Sequence, residues 1–341
     1  MAAAWSGDKM SQVDFMLKDE CILLDMNDNV IGHDNKYETH IFCPERPRAK
    51  LHRAFSVFLF DSSGRLLLQQ RAASKITFPN VWTNTCCSHP LFGYNPTEVD
   101  TPEDVASGEV PGAKRAAIRK LDHELGIKAE QVPIEGFKFL TRMHYWAADV
   151  VTHGPEAPFG EHEIDYILFC QADVDVVPNP EEVQDVKYVT IAELKEMMEP
   201  ASGLLWSPWF RIIVERFLDA WCEDLSATLS TDKLQDVTSV HRFDCTREHR
   251  GGAGSALEDW LDAEGDQSGD AWLQAVAVNG GIAPETIAKK SCLEQHPGGK
   301  WSLKPDAPVV EKVEAEGAEE GKPKTTAGSE EVSAEATHVG A

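Results

Sequence analysis

The chain has 341 residues, with 57 Asp and Glu against 32 Lys and Arg, a formal net charge of −25. That length supports a sizeable buried core. So acidic a balance argues against non-specific nucleic-acid binding and against docking on an anionic membrane, both of which need a basic surface. No segment approaches the roughly 18–20 continuous apolar residues of a membrane helix, so no membrane insertion is expected. The charge is uneven: residues 1–222 carry net −13, and residues 223–341 carry net −12 in barely half the length. The N-terminus, MAAAWSGDKMSQVDFMLKDE, has no apolar run of signal-peptide type and carries acids early. A soluble cytoplasmic protein is expected, with a plastid location as the alternative. The eight cysteines, at 21, 43, 86, 87, 170, 222, 245 and 292, read as reduced thiols rather than a disulfide frame.

In chain order, a tail over 1–16 precedes a mixed α/β domain expected over 17–225. Residues 54–60 (AFSVFLF) form a β-rich run, 61–64 (DSSG) carry turn chemistry, and 65–70 (RLLLQQ) return as a partner strand. A polar connection over 95–112 follows. Residues 113–125 then read as a helix, with Ala117, Leu121 and Leu125 on one face and Gly126 placed to stop it. Residues 164–170 (IDYILFC) are another strand and 190–198 a short helix. Pro208 opens a longer helix through 225, with Trp209, Ile212, Ile213, Phe217 and Trp221 on one face. After residue 226 the pattern weakens: a weakly structured extension is expected over 226–301. An acidic tail over 302–341 lacks the apolar content to offset its ordering entropy and is expected to be disordered.

Four arrangements carry chemistry. In 84–90 (NTCCSHP), an extended backbone turns Cys87 and His89 to the same face, because the strand period is two. A thiol and an imidazole at one spot serve as nucleophile and base, or as a catalytic acid beside a metal ligand, or merely as a buried Cys and a packed His. In 160–166 (GEHEIDY), Glu161 and Glu163 share a face, and like charges so close need a cation between them or a proton on one. His40 and His52 are weak signals singly. With His89 and the two carboxylates they make a nitrogen/oxygen set for Mg²⁺, Mn²⁺ or Zn²⁺. The fourth is the helix 119–127 (RKLDHELGI), where Glu124 falls on the inward face and calls for a cation. His241, Cys245 and His249 are scattered through a polar segment and read as ordinary surface residues.

The last helix resembles the signature helix of Nudix proteins, Arg-Glu-apolar-x-Glu-Glu-x-Gly-apolar. Lys120 and His123 stand where two of its glutamates would be, Pro111 stands at the upstream glutamate, and Glu124 remains. Segments 51–55 (LHRAF), 84–91 (NTCCSHPL) and 160–168 (GEHEIDYIL) together resemble the type I isopentenyl-diphosphate Δ-isomerases, in the right order over about residues 17–225. The resemblance implies a Nudix-like α/β (α+β) fold, a mixed sheet flanked by helices. It implies a metal-dependent interconversion of isopentenyl and dimethylallyl diphosphate by protonation and deprotonation. It further implies Cys87 and Glu163 as the catalytic pair on opposite faces of the substrate, accompanied by Tyr145 and Trp209. His40, His52, His89, Glu161 and Glu163 would ligate the first metal, and Glu124 a Mg²⁺ that arrives with the diphosphate. Lys36, Arg71, Lys75, Ser88 and Lys120 match diphosphate-contacting positions. A monomer acting on a small isoprenyl diphosphate is expected. A Nudix diphosphate hydrolase, or a binding protein that has kept the fold, stands as the alternative.

Overall fold

The computed structural model describes residues 11–42, 48–153 and 157–244, with short strands at 261–262, 293–295 and 301–303. Helix α1 (Gln12–Lys18) leads into β1 (Glu20–Leu24), β2 (Val30–Asn35), α2 (Lys36–His40), β3 (His52–Phe60), β4 (Leu66–Arg71), β5 (Trp82–Thr83) and β6 (Cys86–Ser88). Helices α3 (Pro102–Ser107) and α4 (Pro111–Leu125) follow, then β7 (Lys138–Ala148), α5 (Val150–His153), β8 (Gly160–Gln171), β9 (Val183–Val189) and α6 (Ile191–Met198). The described domain closes with α7 (Pro208–Ile213), α8 (Asp219–Cys222), α9 (Leu225–Ser230) and β10 (Val240–Asp244).

One mixed sheet runs in the order β10-β7-β8-β3-β1-β2; β4 connects β3 to β5 and β9, and β6 pairs with β3. Strand β3 pairs in parallel with β8, from His52↔Glu163 to Phe60↔Gln171. On the other side of β8, antiparallel β7 sets Tyr145 opposite Glu163. Alternation then divides the core. Phe58, Phe60, Ile167 and Phe169 face Trp209, Phe210 and Ile213 of α7. Val57, Leu59, Tyr166 and Leu168 face Ala113, Ala117, Leu121 and Leu125 of α4. Both faces of β3 and β8 are covered, which is why these strands read as nearly unbroken apolar runs.

Local chemistry sets the element ends. Helix α4 starts at Pro111, where the Asp100 carboxylate accepts from the N–H groups of Gly112 and Ala113 at 2.5 and 2.8 Å. It stops at Gly126, whose φ of +68° is the left-handed cap that glycine adopts without cost.

The structure departs from the sequence reading at five places. The expected tail over 1–16 overlaps α1, which Ser11 and Asp14 cap reciprocally and whose Met16 is buried. The strand 65–70 pairs with β3 only at Phe60↔Leu66 and then runs with β9. The connection over 95–112 contains α3, capped by Thr101. The helix from Pro208 passes through a π turn (Val214–Leu218) and ends at Cys222. Asp224 leaves helical geometry there and accepts from the Ala227 N–H at the start of α9.

The fifth departure is the largest. The extension expected to be weakly structured from 226 supplies α9 and β10, and β10 pairs in parallel with β7 from Val240↔Arg142 to Asp244↔Trp146. Side-chain hydrogen bonding holds the approach to it: Arg142 donates to the carbonyls of Val237 and Thr238, and Gln235 to that of Phe139. No apolar periodicity marks this stretch, so its fold is a tertiary result. Beyond Asp244, apart from the short strands, the extension with Cys245, His249 and Cys292 and the acidic tail lie outside the described residues. Cys21, Cys86, Cys87, Cys170 and Cys222 are free thiols, as expected.

A buried ionic network ties the sheet edge together. Asp28, in left-handed backbone geometry (φ +68°), accepts from Arg53 at 2.8 Å, Arg142 at 3.0 Å and Tyr166 at 2.5 Å. Removing one member leaves charges buried without their counter-ion. Asp28→Ala is therefore expected to cost about 3–5 kcal/mol, read from the urea unfolding midpoint. A loss below about 1 kcal/mol, the range of an exposed pair, would contradict it.

Candidate active site

Helix α2 is little more than one turn long, so Lys36 and His40 fall on the same side of it. The turn does more than align them. The Lys36 carbonyl accepts from His40 Nδ1 at 2.6 Å, and the Lys50 carbonyl accepts from His52 Nδ1 at 2.8 Å. A carbonyl can only accept, so both rings carry their proton on Nδ1 and turn the lone pair of Nε2 inward. His40 Nε2 lies 2.9 Å from Glu161 Oε2, His89 Nε2 lies 2.8 Å from Glu163 Oε1, and His52 Nε2 is 3.7 Å from the same oxygen. The three ring centroids are 4.7–4.9 Å apart. All five residues are buried, with ligand atoms within 4.8 Å of one another.

This donor set fits a divalent cation. The buried His40 Nε2, His52 Nε2 and Glu161 Oε2 have no hydrogen-bond partner, an expensive condition unless an ion completes them. Burial holds the His40 imidazole below its ordinary pKa and the His89 imidazole well below it. Burial works to raise the Glu161 and Glu163 carboxyls, yet both lie below the usual carboxylate range, which favours the ionised form. Neutral imidazoles facing ionised carboxylates are the protonation states a metal requires.

Beside the cluster opens a cavity lined by Lys36, Arg71, Lys75, Cys87, Ser88, His89, Tyr145, Glu161, Glu163 and Trp209, with Phe55, Ser56 and Thr77. Thus every expected residue gathers at this one place except Lys120 and Glu124. Cys87 is carried by β6 opposite Ser56, and burial pushes its thiol up to about 12 although the Arg71 guanidinium opposes the shift. Arg71 Nη1 lies 3.8 Å from the Cys87 sulfur, its other donors being held by the Thr77 and Phe78 carbonyls. Tyr145 donates to Glu163 Oε2 at 2.5 Å. Trp209 sits with its ring centroid 6.1 Å from that of Tyr145, and its indole N–H donates to Asn84. Arg71 stacks over the Trp209 ring at 5.6 Å.

Lys120 and Glu124, on α4, are not among the residues that line the cavity. Cys86, which points opposite to Cys87, donates to Glu124 Oε2 at 3.4 Å, and Gln69 donates at 3.0 Å. Lys120 Nζ is 3.1 Å from Glu124 Oε1. Of the residues not anticipated, Asp165 continues the face of Glu161 and Glu163 by period two and accepts from Ser56 at 2.7 Å. The same alternation that picked out the two glutamates contained it. Glu182, which pairs with Lys75, and Thr77, which donates to Glu161 at 2.9 Å, leave no sequence signal because their partners are distant in the chain.

The mixed sheet, the signature-like α4 and the buried ligand cluster define a Nudix-fold protein, and residues 50–210 match the NUDIX domain family. The chain is 46% identical to isopentenyl-diphosphate Delta-isomerase I of Camptotheca acuminata, over 71% of this chain and 98% of the relative. It is 50% identical to isopentenyl-diphosphate delta-isomerase idi1 of Aspergillus fumigatus, over 67% of this chain and 80% of the relative. The chloroplastic isopentenyl-diphosphate Delta-isomerase 1 of Cannabis sativa matches at 48% identity, over 67% and 76%. The chain belongs to the isopentenyl-diphosphate Delta-isomerase family. Among the described residues no helix is long and apolar enough to cross a membrane.

If the cluster holds an ion, that ion stabilises the fold by mass action. Chelation with EDTA is expected to lower Tm by about 5–10 °C relative to Mn²⁺ or Zn²⁺ at a hundredfold excess over Kd. His52→Ala is expected to lose most of that difference, and an EDTA-insensitive Tm in the wild type would contradict the fit.

Proposed function

We propose that this cavity is where the chain, an isopentenyl-diphosphate isomerase, interconverts isopentenyl and dimethylallyl diphosphate. The observation that carries the reading is the combination in one cavity of a protonated thiol, a tyrosine-bound carboxylate and an aromatic face, with cationic side chains beside them. Shifting the double bond adds a proton to the terminal methylene carbon, develops positive charge at the tertiary carbon, and removes a proton from the methylene carbon next to it. The reverse reaction exchanges the two roles. Cys87 and Glu163 are the proposed proton-transfer pair. A thiol held up to about 12 keeps its proton for delivery at neutral pH. Glu163, bonded to Tyr145, is an ionised carboxylate suited to accept one, and Tyr145 completes a path along which its proton moves. Trp209 offers its ring face to the cationic carbon and excludes water that would trap it.

Lys36, Arg71, Lys75 and Ser88 are the proposed diphosphate contacts. They explain how a protein of net −25 binds an anion: the charge that matters is local. Lys120 lies outside the lining and contributes through Glu124, which is the proposed holder of a Mg²⁺ entering with the diphosphate. His40, His52, His89, Glu161 and Glu163 would hold a divalent ion, which would supply positive charge next to the Glu163 carboxylate. Three imidazole ligands favour Zn²⁺ or Mn²⁺ over Mg²⁺ there. All these side chains belong to one chain, which supports a monomeric catalyst.

The hydrolase alternative is disfavoured by α4 itself. Where the Nudix signature has a glutamate, Lys120 places an ammonium against the one remaining carboxylate. Incubation with isopentenyl diphosphate and Mg²⁺ in D₂O separates the two: deuterated dimethylallyl diphosphate without phosphate release is expected, and hydrolysis without isomerised product would overturn the proposal. Cys87→Ala is expected to lower kcat by about 10²–10⁴-fold while circular dichroism and metal content stay unchanged; wild-type turnover in this variant would remove Cys87 from the mechanism.

A further inference from the structure

Behind the site, on the opposite face of β7 and β8, lies a pair of histidines that the chemistry above does not use. His144 precedes Tyr145 on β7, and His162 lies between Glu161 and Glu163 on β8. Both are buried, and their Nε2 atoms are 2.9 Å apart. One ring must donate and the other accept, so the pair has two possible proton arrangements. Arg242 of β10 selects between them. Its Nη1 lies 2.6 Å from His144 Nδ1, and a guanidinium only donates, so Nδ1 must accept. The His144 proton then sits on Nε2 and is given to His162 Nε2, which leaves the His162 proton on Nδ1, facing the Ala49 carbonyl at 3.5 Å. The second arm of Arg242 donates to the Met26 carbonyl at 2.8 Å, which anchors it from the far edge of the sheet.

The strands are thus joined on both faces at the same place. In front, Tyr145 donates to Glu163; behind, His144 donates to His162. We propose that Arg242 is a positioning residue for the isomerisation, acting through the His144–His162 pair to hold β7 and β8 so that Tyr145 and Glu163 meet at the cavity. The residue comes from β10, outside the span in which the sequence carries the isomerase motifs. An ordinary packing role differs from this one in a testable way: packing acts through stability, whereas positioning acts through the geometry of two particular side chains and of the metal ligand among them.

The test uses full-length variants with Mn²⁺ as the metal probe, well below their melting temperatures. Arg242→Met is expected to lower kcat about 10-fold and to weaken Mn²⁺ binding about 10-fold, the scale of losses from residues that orient metal ligands. KM for isopentenyl diphosphate should stay within about twofold, because the cationic anchors are untouched. Phe217→Leu, which thins the packing against Phe243 of β10 without touching Arg242, the two histidines or Tyr145, is expected to lower Tm yet keep kcat and Mn²⁺ affinity within about twofold. His144→Gln should lose as much as Arg242→Met, and the double variant no more than either, because both act through one link. The proposal is overturned if Arg242→Met keeps kcat or Mn²⁺ affinity within twofold of wild type. Equal losses in Phe217→Leu, or multiplied losses in the double variant, overturn it too. It rests on the assignment of Tyr145 and Glu163 above; that assignment fails if Glu163→Gln turns over normally, whereas this one fails if Arg242→Met does while Glu163→Gln is inactive.

Discussion

Glu161 and Glu163 point the same way from one buried strand, and much of the domain is arranged around the cost of that fact. Two ionised carboxylates two residues apart in a low-dielectric interior repel each other, and each also loses its hydration. Neutralising them by protonation would spoil them as ligands. The fold instead surrounds them with three imidazoles, a phenol and a threonine hydroxyl, drawn from α2, β3, β7 and the loops after β4 and β6. The register of β3 against β8 sets His52 beside Glu163, and the register of β7 sets Tyr145 on its other side. A one-residue slip of either pairing would turn the side chain to the wrong face. The tightness of the core around these strands is therefore also a requirement of the site.

The cavity is polarised. The imidazole and carboxylate cluster stands at one side, and Lys36, Arg71 and Lys75 line another. Between them Cys87 stays protonated, because desolvation and the nearby carboxylates of Glu124, Glu163 and Asp165 outweigh the Arg71 guanidinium. The alternation of Cys86 and Cys87 separates two environments with one peptide bond: one thiol faces the cavity, the other faces Glu124 and the α4 core. Net acidity across the whole chain says nothing about either environment, since field strength at a buried site is decided by groups within a few ångströms.

The reading of the sequence was most informative where chemistry is carried by residues close together in the chain. Cys87 with His89, and Glu161 with Glu163, were legible because the strand period fixes which neighbours share a face. Asp165 obeys the same rule, but no local feature of the sequence assigns a third carboxyl on that face a partner; Ser56 supplies it only in the fold. Gly126 and Pro111 bounded α4 through simple backbone preferences. Legibility failed at long range. Glu182 reaches Lys75 across 107 positions and Thr77 reaches Glu161 across 84, and no local pattern announces either. Lys120 and Glu124 share a helix face, yet in the fold they pair with each other and neither lines the cavity.

The sequence alone therefore determined the chemistry available: which side chains alternate together, which helix has lost the glutamates of a hydrolase, and which family the ordered motifs resemble. These follow from backbone periodicity and residue type, which are local properties. Only the tertiary structure decided that His40 and His52 converge on the glutamates, that Lys120 stands outside the cavity, and that the polar stretch after residue 226 returns as β10. Strand pairing between distant segments is selected by the burial and hydrogen bonding of the whole sheet, and a segment such as 240–244 becomes a strand only because β7 offers it an edge.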